Sequence, residues 1–128
     1  AAGRSSRMAI WWRKSCLNVT EVFRDRHVIA CRCQNLQGDL EWFVSWIYGP
    51  CATADRAELW KDLSTLYQRV QEVPWLIGGD FNCPLSSDDR PGGRTDSAMA
   101  GFQMVVQNLG VTEYPISAVE FTWRNGSG

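Results

Sequence analysis

The segment Gly78-Gly79-Asp80-Phe81-Asn82 holds the residue types best suited to chemistry in this sequence. An apolar run over residues 75–78 leads into it, so a strand would deliver an acid and an amide, two residues apart, to its C-terminal end. Ligand clefts of α/β sheets open at that end of the strands. A carboxylate there can accept a proton from water or hold a hydrated magnesium ion. An asparagine amide can donate to a phosphate oxygen without adding charge, and glycines admit a close backbone or phosphate. The same residues also suit a plain turn, because turns select Gly, Asp and Asn for their backbone tolerance. Residue types alone leave both readings open.

Periodicity supplies the elements that would position this segment. Residues 8–12 form an apolar run expected as a short strand, and residues 17–23, rich in β-branched and aromatic side chains, a second. Arg24-Asp25-Arg26 predicts a turn. Residues 28–34 alternate, with Ile29, Cys31 and Cys33 on one face. Residues 42–48 alternate again, with Trp42, Val44, Trp46 and Tyr48 sharing a face. With the turn Gln37-Gly38-Asp39 between them, the two strands predict an antiparallel hairpin.

Gly49-Pro50 stops that hairpin, and Asp55 followed by Glu58 has the form of a helix start, an N-cap acceptor with an acid three residues on. Leu59, Trp60, Leu63, Leu66, Tyr67 and Val70 then give one apolar helical stripe, closed by Pro74. Residues 84–96 are a polar loop. Phe102, Val105, Val106 and Leu109 mark a second helix, with Gly110 placed to cap it. Residues 119–123 are a final strand, and Asn125-Gly126 opens a turn that reads as cut short of its partner strand. The pattern predicts an α/β (α+β) fold, mixed β-sheets flanked by helices, in a single partial domain over residues 1–128.

Bulk properties narrow the setting. Forty-five per cent hydrophobic residues over 128 positions can fill one core, and seven tryptophans spread along the chain assign the aromatic load to the fold. A net charge of -1 excludes a global basic field for nucleic acid. Residues 1–32 nevertheless carry a balance of +5, which suits either a phosphate path or simply solvated strand faces. The five cysteines contain no Cys-x-x-Cys pair and His27 is the only histidine, so no zinc site is expected. Cys31 and Cys33 read as small buried hydrophobes, and His27 as a surface or strand-edge residue. No apolar stretch approaches the ~18 residues of a membrane span, so an intracellular setting, nuclear or cytoplasmic, is expected with no membrane partner.

The order of the wider pattern adds to this. A strand ending in Tyr48-Gly49-Pro50, a helix with Arg56, Leu59 and Trp60, then Gly79-Asp80-Phe81-Asn82, Gly92-Gly93, a helix around Phe102, and Phe121-Thr122-Trp123 together resemble the endonuclease/exonuclease/phosphatase family. The resemblance spans residues 8 to 126. It is nearest to the endonuclease domain of LINE-type (non-LTR) retrotransposons, because Ser86-Ser87-Asp88 and a charged pair precede Gly92-Gly93. It implies an incomplete four-layer α/β sandwich and a Mg2+-dependent phosphodiesterase ancestry, with DNA as substrate and weak DNA binding at most for this chain. On this resemblance Asp80 orients or deprotonates the attacking water, Asn82 holds the scissile phosphate and the nucleophile, and Tyr48 contacts the phosphate. Thr122-Trp123 would shape the cleft floor or simply pack.

The resemblance also implies parts with no counterpart here. These are an early Asn and a metal-binding Glu, and a later Asp and Asp-His pair. Ser6-Arg7-Met8 stands where the branch has Gly-Gly-Leu, and His27 does not match the place of the catalytic histidine. Groups that act as a unit lose activity steeply when any is removed, so little or no turnover and uncertain magnesium retention are expected. Three other readings stand beside this one. They are a non-catalytic remnant that folds, or pairs with another chain, and binds a partner through an exposed sheet edge, a phosphatase acting on lipid or small-molecule phosphates, and a gene fragment with no present function.

Overall fold

Residues 8–83 and 97–114 are described by a computed structural model. Strands β1 (Leu17–Arg24), β2 (Val28–Asn35) and β3 (Glu41–Tyr48) are followed by a short 3-10 turn, Thr53–Asp55. Then come α1 (Arg56–Val70), β4 (Trp75–Asp80) and α2 (Ser97–Leu109). The four strands form one sheet in the order β1-β2-β3-β4. β1, β2 and β3 pair antiparallel, while β3 and β4 pair parallel. The parallel step needs a long crossover, and α1 supplies it. The described residues form a mixed α/β fold with a four-stranded mixed sheet and two helices.

The predicted hairpin is present, and its register explains the alternation. Ile29 pairs with Trp46, Cys31 with Val44 and Cys33 with Trp42, so both alternating sets lie on the same side of the sheet. Ile29, Cys31, Cys33 and Val44 are buried there, with Met8, Ile10, Val19 and Trp42 packed against them. Residues 8–12 are not a strand, contrary to the expectation. Five consecutive apolar residues have no period of two to specify a sheet register. They run as irregular chain that lays Met8 and Ile10 on this face, and a turn at residues 14–16 follows, its Cys16 N–H bonded to the Arg13 carbonyl.

Val28, Ala30, Ser45 and Ile47 are buried on the opposite side. The one polar member, Ser45, receives a hydrogen bond from Trp75 Nε1 at 2.9 Å, which satisfies its hydroxyl. The helix α1 is tied at its two ends to the β1–β2 turn and to β1. Glu58 near its start pairs with Arg26, and Arg69 near its end donates to the Val22 carbonyl at 3.4 Å. Its stripe buries Leu59, Leu63, Leu66 and Val70, each contributing about 2 kcal/mol by removal from water. Tyr67, predicted on the stripe, lies at its margin and is exposed.

The start of α1 departs from expectation. Asp55 is the N-cap residue, but its φ of -87° and ψ of -12° are helical and its side chain makes no capping bond. Capping carboxylates reach the helix amides from an extended backbone, and the preceding 3-10 turn removes that geometry. Glu58 points to Arg26 and His27 instead of back to the cap.

The chain divides into two compact units, residues 1–82 and 83–128. In the second, α2 buries Met99, Phe102 and Leu109 and ends at Gly110, whose φ is 67°, as predicted. The predicted loop over residues 84–96 with Gly92-Gly93, the strand over 119–123 with Thr122-Trp123, and the Asn125-Gly126 turn lie outside the described residues.

Candidate functional site

The C-terminal ends of β3 and β4 meet, and the parallel register sets Tyr48 beside Asp80. β4 extends two residues beyond the expected end, so Gly79 and Asp80 are part of the strand. Gly79 makes that extension possible. Its φ is 127°, a region L side chains rarely enter, and a Cβ there would strike the Ile47 backbone. The Gly49 N–H donates to the Asp80 carbonyl at 2.6 Å, and a Cβ on Gly49 would strike the Phe81 carbonyl. Two glycines thus let the strand ends close on each other.

The next two residues form a turn held by side chains. Asp80 Oδ1 accepts the Asn82 backbone N–H at 2.9 Å. Asn82 has a φ of 51°, in the left-handed region that asparagine tolerates better than most residues. Its Nδ2 donates to the Gly49 carbonyl at 2.6 Å. Arg56, in the first turn of α1, donates through Nη2 to the Asn82 carbonyl at 2.9 Å and to the Cys51 carbonyl at 3.3 Å.

All three predicted site residues, Tyr48, Asp80 and Asn82, are therefore neighbours at one mouth. Asp80 is exposed and Tyr48 and Asn82 are half-buried. The turn takes one Asp80 oxygen and one Asn82 N–H, leaving the second carboxylate oxygen, the second amide N–H and the amide oxygen for other partners. The mouth can hydrogen-bond a phosphate or a water and accept a proton. Among the described residues no group of three or more His, Cys, Asp or Glu side chains could hold a metal ion. Magnesium is held by one or two carboxylates together with substrate phosphates and waters. Asp80 alone does not make a resident magnesium site.

His27 lies behind this mouth and is buried, not at the surface as the sequence suggested. Its carbonyl accepts the Tyr48 N–H at 2.8 Å, and its Nδ1 lies 3.2 Å from the Tyr48 carbonyl oxygen. Burial follows from its place just before β2, where the turn folds it under α1, and its Nε2 lies 3.7 Å from Glu58 Oε2. A second cluster begins here. Asp25 Oδ1 accepts the His27 and Val28 amides at 2.8 and 2.9 Å, closing the β1–β2 turn.

On α1, Asp62 faces Asp25. Burial, the hydrogen bond with Asp25 and the charges of Asp25 and Glu58 push its carboxyl up to about 7, against a smaller pull from Lys61. Burial also acts to raise the Asp25 carboxyl. The hydrogen bonds from Asp62, His27 and Val28, with the charge of His27, outweigh it and hold Asp25 below its ordinary value. This cluster was not anticipated. The available signal was Glu58 and Asp62 four apart, two like charges on one helix face.

Three arginines of the basic N-terminal part have acidic partners. Arg24 pairs with Glu21, Arg26 with Glu58 and Arg32 with Glu41. All five cysteines are free thiols, with Cys31 and Cys33 buried as expected and their thiols pushed up by burial. Among the described residues no helix is long and apolar enough to cross a membrane. The chain matches no protein-family model and no curated protein.

Proposed function

We propose that this chain is part of a magnesium-dependent phosphodiesterase or endonuclease domain of the endonuclease/exonuclease/phosphatase type, with the four-layer sandwich of that family as its parent architecture. The observation that carries this reading is the convergence of Tyr48, Asp80 and Asn82 at the C-terminal ends of the parallel pair β3 and β4. In this reading Asp80 orients the attacking water or accepts its proton, Asn82 donates to the scissile phosphate, and Tyr48 contacts a phosphate oxygen. DNA is the substrate class. Phosphodiester hydrolysis also needs a cation and stabilisation of the leaving oxygen. The described mouth offers one carboxylate, so no step is assigned to a bound metal and turnover by this chain is expected to be slight.

Two measurements test the reading. Titration of the labelled chain with a short DNA duplex, followed by amide NMR, should move the Asn82 side-chain and Tyr48 signals first. Supercoiled plasmid incubated with the chain and magnesium should show no nicking beyond that of Asp80→Ala. Nicking that the substitution abolishes would mean that the chain assembles a complete active site.

A second reading, a folded module without catalysis, is supported by the bonds that Asp80 and Asn82 already spend on the turn. Its binding surface would be a sheet edge, where Trp46 and Leu76 stay exposed on one side of the neighbouring strands β3 and β4. DNA titration that leaves Tyr48, Asp80 and Asn82 unmoved would favour it.

A further inference from the structure

The positive charge of the N-terminal part is not evenly used. Arg24, Arg26 and Arg32 have carboxylate partners, whereas Arg13 and Lys14 enter no ion pair among the described residues. Both are exposed, and residues 8–20 contain no acid. Two adjacent cations are therefore left facing water at one place on the surface.

Directly before them stand two tryptophans. Trp11 is 87% exposed and Trp12 46%. Tryptophan is highly buried on average, so an indole left almost wholly in water is not there to fill a core. The chain around it is pinned on both sides. Ile10 packs against the buried cluster of Ile29, Cys31, Cys33 and Val44. After Trp12, the Arg13 carbonyl accepts the Cys16 and Leu17 amides at 2.9 and 3.2 Å. Trp12 walls a hollow of about 190 Å³ with Ile10, Val19 and Ile29, which anchors its ring among apolar neighbours while part of it stays open.

Two indoles beside two cations suit one kind of partner. A base stacks on an indole face, and the phosphates of its strand meet the cations. This requires a single strand, because unstacked bases alone offer their faces to aromatic side chains. A second copy of this chain would bring like charges together. Membrane-surface binders present such residues from an amphipathic helix, whereas residues 11–16 are irregular chain and a turn. We propose that Trp11, Trp12, Arg13 and Lys14 form a binding surface for single-stranded nucleic acid, made of residues that the mouth does not use. The surface works by stacking and charge, so it tolerates many sequences. It does not depend on Tyr48, Asp80 and Asn82 receiving a phosphate.

The test is fluorescence anisotropy of a labelled short oligothymidylate, and of an oligouridylate of the same length, titrated with the full chain. Binding of both is expected, and preference for one identifies the strand that the surface serves. Trp11→Ala should weaken binding by at least about fivefold, the lower end of what one stacked base supplies. Trp11→Phe keeps a ring face and should recover part of that loss. Arg13→Ala with Lys14→Ala should flatten the slope of log affinity against log salt by about 1.4, roughly 0.7 for each phosphate contact on a single strand. All these side chains are exposed, so the variants should fold, which circular dichroism checks. In NMR titrations with the strand, the Trp11 and Trp12 indole N–H signals should move first. The mouth is scored separately at Tyr48 and Asn82 with duplex, so either site can fail without the other. No strand binding, binding untouched by Trp11→Ala, or a duplex bound as tightly as the strand overturns the proposal. So does a chain that instead dimerises through Trp11, or that binds phosphatidylserine vesicles but no strand.

Discussion

At the mouth where β3 and β4 end, Asp80 is exposed and its carboxylate is fed by a backbone amide. In the corner where α1 meets the β1–β2 turn, Asp25 and Asp62 are half-buried, and burial together with the influence of Asp25 and Glu58 pushes the Asp62 carboxyl up to about 7. The mouth has the residue types that suggest catalysis but spends much of their capacity on holding a turn. The corner carries the displaced proton affinity that often marks a functional site, yet it sits at a structural junction. In this molecule motif and electrostatics are separate signals, and each has to be weighed on its own geometry. The two regions touch through His27, which is bonded to Tyr48 on one side and faces Glu58 on the other.

The largest effect should come from the backbone of the mouth. Gly79→Ala forces a side chain into a φ of 127° and against the Ile47 backbone. A strained φ alone costs about 1–3 kcal/mol, and the collision adds to it. A loss of at least ~3 kcal/mol is expected from urea unfolding. A loss below ~1 kcal/mol would show that β4 reaches Asp80 without the close approach, and the mouth would lose its special status against the corner.

His27→Ala should rank second, at about 2–3 kcal/mol, because it empties buried volume and removes the bond to the Tyr48 carbonyl. Since His27 serves both regions, hydrogen exchange should quicken at the Tyr48 amide and in the first turns of α1 together. Quickening at only one of them would show the regions to be independent.

The sequence made the sheet largely legible and the site partly so. β2 and β3 are readable because apolar residues recur at alternate positions between turn signals, even though each strand buries residues on both of its faces. α1 is readable from its leucine stripe. Residues 8–12 misled because an unbroken apolar run specifies burial without specifying a ladder. Asp55 and Glu58 fit the spacing of a capping box, but spacing does not report that a 3-10 turn precedes the helix or that Arg26 and His27 compete for Glu58. Tyr48, Asp80 and Asn82 were found by type and order. Their mutual bonds through Gly49, and the clasp from Arg56, depend on a parallel register that α1 alone creates. Asp25 in the β1–β2 turn and Asp62 on α1 affect each other's protonation from 37 positions apart, and no local pattern connects them.

Asn82 separates strain from bonding within the mouth. Asn82→Ala should cost about 1–2 kcal/mol, since it loses the donor to the Gly49 carbonyl and keeps a left-handed φ. Asn82→Gly relieves the backbone and should cost roughly half as much. Equal losses in the two variants would mean that the hydrogen bond carries the whole effect.

The smallest expected change is also the most discriminating for function. Asp80→Asn keeps a side-chain oxygen for the Asn82 amide, so stability should move by no more than about 0.5 kcal/mol. Asp80→Ala, which loses the turn bond, should cost about 1 kcal/mol. Removing the charge while keeping the turn isolates the carboxylate as a chemical group. If Asp80 acts only as a turn residue, the DNA-induced shifts at Tyr48 and Asn82 will be the same in Asp80→Asn as in the unsubstituted chain. If the mouth receives phosphate, an anion is removed from its rim and those shifts should saturate at lower DNA concentration. The direction of that change, measured in a protein of unaltered stability, sets the phosphate reading apart from the turn reading.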